Sequence, residues 1–135
     1  MADQRYIDFL SKLISDTKEK KINWKYLDSN IELCKSMNWA EISTEINLIT
    51  GSTEKVSMDF NREDSFYMHE KGTFVVVYVW GKQPAKLYVI PNTYKKIVTL
   101  TPNVYGEYIT RLLNLVQSQF PNAETFIDSF IKSNN

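Results

Sequence analysis

From Phe74 to Trp80 every residue is apolar, and no other stretch of this chain runs so long without a polar side chain. A β-strand sends successive side chains to opposite faces, so an apolar residue at every position means that both faces are covered. The run is rich in valine and aromatic residues, which suits a strand. It is therefore expected at the centre of a sheet, with Trp80 and the valines in the core.

The segment before it, from Ser65, is also β-rich, and the two meet at Glu70-Lys71-Gly72. This reads as a hairpin. Lys-Gly is a poor pair for a two-residue type I′ turn, whereas Glu-Lys-Gly suits a three-residue loop with Gly72 left-handed. That register predicts Phe66, Met68, Phe74, Val76, Tyr78 and Trp80 on one face, with Tyr67, His69, Val75 and Val77 on the other. A two-residue loop would flip one strand relative to the other.

Around this hairpin the pattern reads as a single α+β domain spanning residues 1–135. The expected architecture is an antiparallel sheet of about 5–7 strands, an N-terminal helix and two C-terminal helices. A length of 135 residues and an apolar fraction of 43% support a real core. Asp3 caps a helix to Lys18 whose stripe is Tyr6, Leu10, Leu13, Ile14 and Thr17. Ile22, Trp24 and Tyr26 alternate as a short strand. Ser29 and Glu32 have capping-box spacing before a helix through Leu33, Cys34 and Met37. Residues 41–50 fit strand or helix, and their β-branched content favours strand. Val56 to Phe60, Leu87 to Ile90 and Ile97 to Leu100 read as further strands, with a turn at Pro91-Asn92-Thr93.

Thr101-Pro102 then opens a helix with Tyr105, Tyr108, Ile109, Leu112 and Val116 on one stripe and a Glu107–Arg111 pair on the wet side. Gly106 weakens that helix, and a close approach to the sheet is expected to offset the cost. Pro121 ends it. Asn122 caps a last helix, with Phe126, Ile127, Phe130 and Ile131 expected inward.

Charge excludes little. Lys plus Arg and Asp plus Glu are 16 each, so no global field draws the chain to nucleic acid or an anionic membrane. The first ten residues include Asp3, Arg5 and Asp8, which leaves no secretory apolar region there, and no apolar run approaches the ~20 residues of a membrane span. With Cys34 as the single cysteine, a cytoplasmic location is expected.

No metal site, cofactor motif or catalytic constellation stands out. His69 is the only histidine and has no ligand cluster beside it. A Cys34–His69 pair would need a base next to a thiolate, and nothing in the spacing brings them together. An enzyme using His69 with Glu70 or Cys34 is the third-ranked reading. Glu63 and Asp64 are adjacent, so a strand would point them to opposite faces rather than pair them for acid–base work. Lys18, Lys20, Lys21 and Lys25 cluster beside Trp24 and Tyr26, the combination that single-stranded nucleic acid needs. Glu19 interrupts the cluster and arginine is missing from it, so a solvated helix end is the favoured reading.

Aromatic residues rise above this background at 13% of the chain. Tyr and Trp are enriched at binding hot spots. The candidate contacts are Trp24, Tyr26, Lys20 and Lys21, followed by Tyr67 and Tyr88. This favours binding over catalysis: another protein as partner, or a nucleotide-like small molecule held by stacking and lysines.

Three stretches carry a resemblance: Leu27-Asp28-Ser29-Asn30 through Asn38-Trp39; Asp64-Ser65-Phe66-Tyr67; and Tyr105-Gly106-Glu107-Tyr108 through Ser118-Gln119-Phe120-Pro121. They resemble small uncharacterised proteins of low-GC Gram-positive bacteria, their phages and integrated elements. The resemblance covers most of the chain. It implies no activity, cofactor or catalytic residue, but a mobile-element or host-defence setting.

Overall fold

A computed structural model describes residues 2–133 of the chain. The order is α1 (Gln4–Lys18), β1 (Lys25–Tyr26), a 3-10 turn (Leu27–Ser29), α2 (Ile31–Ser36), β2 (Ala40–Asn47), β3 (Gly51–Met58), β4 (Phe66–Glu70), β5 (Thr73–Tyr78), β6 (Lys86–Pro91), β7 (Val98–Leu100), α3 (Pro102–Gln117) and α4 (Ala123–Ser133). The fold is α+β. One antiparallel sheet has the order β1-β4-β5-β6-β7, and β2 and β3 form a second, two-stranded sheet. Among the described residues no helix is long and apolar enough to cross a membrane.

The two-sided apolar run is β5, the middle strand of five, and Val76 and Val77 are both fully buried. The hairpin register differs from the expectation. Phe66 pairs Val77 and Glu70 pairs Thr73, so the loop is Lys71-Gly72 alone. Both loop residues are left-handed, at φ 51° and 74°, as a type I′ turn requires. The strain of a left-handed lysine is outweighed by packing. This register sends Phe66, Met68, Val75 and Val77 together against α1 and α3. It sends Tyr67, Phe74, Val76 and Tyr78 to the opposite face.

The two faces are covered differently. α1 and α3 lie over the first. Asp3 caps α1 by accepting the Arg5 N–H at 2.9 Å, and its own N–H donates to the Tyr105 hydroxyl at 2.8 Å, tying the two helices together. Gln119 donates to the Thr17 carbonyl at the other end of α1. The 3-10 turn and α2 cover the second face through Leu27, Leu33 and Cys34. α2 is capped by Asn30, whose side chain accepts the Leu33 N–H at 3.0 Å, one residue later than the expected Ser29 box; Ser29 donates to the Tyr26 carbonyl instead.

Three further expectations change. Trp80 is 56% exposed, because β5 ends at Tyr78 and the chain turns there, with the Gln83 N–H donating to the Trp80 carbonyl. Gly106 makes no close approach to the sheet: a methyl group there would meet only Pro102 of its own helix, at 3.7 Å. The helix is irregular at Tyr105 (φ −118°, ψ 15°), just before it. α4 is capped by Asn122 as expected, but none of its residues is buried. α1 and α3 on one face of the sheet, and the 3-10 turn and α2 on the other, already pack against the core.

Candidate functional site

The lysine–aromatic cluster proposed from the sequence does not form one surface. Trp24 is only 4% exposed, and its indole N–H donates to the Thr17 hydroxyl at 3.0 Å. It is a core residue with its polar atom satisfied, so it is withdrawn as a contact. The chain between α1 and β1 folds inward here instead of running as a strand, which is why only Lys25 and Tyr26 pair with β4. Tyr26 lies at the surface at 36% exposure, with its ring on Phe66 and Phe120 at 5.1 and 4.6 Å. Lys20 is exposed and left-handed (φ 59°) at the end of α1. Lys21 is ion-paired with Glu19 at 2.9 Å, and that hydrogen bond raises its pKa.

Lys21 and Tyr67 do line one groove. An open groove of about 500 Å³ runs where β1 is too short to cover the edge of β4. Lys21, Asn23, Lys25 and Asn30 reach over it, and Tyr67 and Phe74 line it. His69 and Glu70 also line this groove. The His69 ring meets Asn92 Oδ1 at 3.0 Å and packs on Phe74. Cys34 is elsewhere engaged: buried below the second face, its thiol donates to the Leu27 carbonyl at 3.4 Å. Burial pushes that thiol up to about 11, which keeps it protonated and a poor nucleophile at neutral pH. The Cys34–His69 pair is therefore not assembled.

Tyr88 belongs to a different structure. It and Tyr78 meet Trp39, at 5.2 and 4.7 Å, and Phe60 packs on Tyr78. Burial raises both phenols. This aromatic platform anchors the root of the β2–β3 hairpin, since Trp39 immediately precedes β2 and Phe60 closely follows β3.

The hairpin itself is the feature that the sequence reading missed. Each strand has eight residues, about 25 Å at ~3.3 Å per residue. Only its root is buried, at Ala40. The pairing places Ile42 opposite Val56, and Ile46 two steps further out on the same face. The other face is polar, and Lys55 pairs with Glu45 there at 2.9 Å. At the tip Asn47 Oδ1 accepts the N–H of Ile49 at 2.9 Å and faces that of Thr50 at 3.4 Å. Gly51 takes the positive φ of 94° that returns the chain. This turn presents Leu48 and Ile49 at 99% and 92% exposure, with Ile46 at 83%. Three large aliphatic side chains in water at one tip form an apolar patch without cover. A signal for it was present: Leu48 and Ile49 sit between turn-forming Asn47 and Gly51, a place where apolar residues gain nothing from folding.

No protein-family model matches this chain, and no curated protein or solved structure matches it.

Proposed function

We propose that this chain is a non-enzymatic interaction protein that binds another protein through the tip and apolar face of its β2–β3 arm. The observation that carries the reading is the display of Ile46, Leu48 and Ile49 on a preformed turn. A two-stranded hairpin is marginal alone, and its two edges and bare apolar face invite a partner. Exposed apolar tips of this kind fit into a cleft, and a turn already shaped lowers the entropy lost on docking. The resemblance to proteins of phages and integrated elements adds a setting: an inhibitor, immunity or anti-defence factor that obstructs its target. The test is a photo-crosslinking residue placed at Ile49, with one at Glu41 on the polar face as control, in the native host. One protein captured strongly from Ile49 and weakly from Glu41 is the expected result. Equal or no capture from the two positions removes the arm from the reading.

A second reading rests on the groove at Lys21, Lys25 and Tyr67. Two lysines and the rings of Tyr67 and Phe74 line one groove, a combination that suits an anionic, ring-bearing small molecule such as a nucleotide. A thermal-shift panel of nucleotides, repeated on Lys25→Ala, separates it from the first: stabilisation that the variant abolishes supports it, and a flat panel removes it.

A further inference from the structure

The groove beside β4 gathers hydrogen-bond donors where β1 meets Tyr67. Lys25 pairs directly with Tyr67, so their side chains leave the sheet on the same face, with Cβ atoms ~5 Å apart. Tyr67 is only 9% exposed, yet its hydroxyl has no hydrogen-bond partner among the described residues. No buried side-chain polar atom is left unsatisfied among them, so this hydroxyl opens to solvent, and the groove is the opening that Tyr67 lines. Asn30 uses its side-chain oxygen to cap α2, which leaves its amide N–H groups unpartnered. The side chains of Lys25 and Asn23 also have no partner among the described residues. Polar groups this deep are normally satisfied, and an ammonium, a hydroxyl and an amide left open together suit an anion.

Further along, the groove offers acceptors. The Leu27 N–H donates to the Ser65 carbonyl at 2.9 Å, and alternate residues of a strand turn their main-chain groups the same way, so His69 also faces the side of β1. β1 begins opposite Tyr67, which leaves the His69 N–H and carbonyl with no strand beside them. The exposed His69 ring is held by Asn92 at 3.0 Å and Phe74 at 4.5 Å, a fixed flat surface. Glu70 lies ~10 Å along β4 from Tyr67 at ~3.4 Å per residue, and it has no ion-pair partner among the described residues.

Charge then limits the ligand. Lys21 is already neutralised by Glu19 at 2.9 Å, and Lys25 is balanced by Glu70. One free ammonium serves a single phosphate, whereas a polyphosphate or a nucleic-acid strand needs several cations. We infer that the ligand is a nucleoside monophosphate, an assignment that rests on the nucleotide reading of this groove. Its phosphate accepts from Lys25, Tyr67 and Asn30. Its base lies on His69 and donates N–H groups to Glu70 and to the His69 carbonyl. The volume of about 500 Å³ suits one such molecule.

The test is isothermal titration calorimetry of the full chain with AMP, GMP, CMP and UMP, then with the triphosphate and the bare nucleoside of whichever binds. At least one monophosphate is expected to bind, at least ~10-fold tighter than its triphosphate and its nucleoside. Lys25→Ala and Tyr67→Phe should each weaken it ~10-fold, as loss of a hydrogen bond to a charged group does. Both variants should melt at the wild-type temperature, since neither side-chain polar group has a partner among the described residues. Glu70→Lys should narrow the gap between monophosphate and triphosphate. Binding that neither Lys25→Ala nor Tyr67→Phe weakens overturns the proposal. So does a triphosphate that binds wild type as tightly as the monophosphate, a result that leaves the nucleotide reading standing. Silence with every nucleotide removes both.

Discussion

Replacing Thr17 by Val keeps the shape of a fully buried side chain and removes one hydroxyl. That hydroxyl accepts the Trp24 indole N–H at 3.0 Å, and both groups are buried. The variant therefore leaves a donor unsatisfied away from water, which costs about 1–3 kcal/mol. Trp24→Phe acts differently. The Thr17 hydroxyl can turn to a helix carbonyl, and the loss is ring volume at a site only 4% exposed. About 2 kcal/mol is expected, below the ~3–5 kcal/mol of a Trp→Ala change. In the double variant the orphaned donor is gone, so the sum of the single losses should exceed the double loss by about 1 kcal/mol. Urea unfolding of the four proteins measures this, with the slope unchanged across them. Additive losses, or a neutral Thr17→Val, would refute the buried bond.

Other outcomes follow from the same structure. Lys71→Asn should stabilise by about 0.5–1 kcal/mol in urea unfolding, because Asn-Gly is the pair a type I′ turn prefers; destabilisation would contradict the two-residue loop. Val77→Asp should abolish the folded circular dichroism signal, since it buries an unpaired charge in the central strand. Trp80→Ser should shift stability by less than about 0.5 kcal/mol, as a surface change does. The Cys34 thiol is held above its ordinary 9.0, at about 11, so its contribution to stability is complete below pH 9 and is lost as pH rises from about 9 to about 11. Across that window wild type should lose more stability than Cys34→Ala; parallel curves would refute the buried thiol.

Most of the fold could be read where local pattern and burial coincide. The two-sided run predicted the middle strand of five because only a central strand profits from being apolar on both faces. Asp3 and Asn122 were legible as caps because capping needs only a short acceptor and the next turn's N–H groups. The hairpin register was not legible, because turn preference for Lys71 pointed one way and the packing of Phe66 and Met68 with Val75 and Val77 decided the other way. Alternation along Ile22, Trp24 and Tyr26 says which residues share a side, not how deep each sits. Depth came from α1, through Thr17. β2 and α4 were read as strand and helix, whereas the strand expected from Val56 to Phe60 runs Gly51–Met58; the apolar residues of the arm and of α4 were visible in the sequence. What covers them was not, since a pattern of apolar residues carries no information about whether the chain folds back to meet it.

The reading of this chain as a protein-binding module rests most on the arm tip. Its sharpest test is calorimetric affinity for the protein captured at Ile49, measured with wild type and with the Leu48→Ser, Ile49→Ser double variant. Both side chains are almost wholly in water, so the variant should melt at the wild-type temperature. Loss of two hot-spot anchors at about 2 kcal/mol or more in total should weaken binding at least ~30-fold. An unchanged melting temperature with an affinity within threefold of wild type would contradict the account.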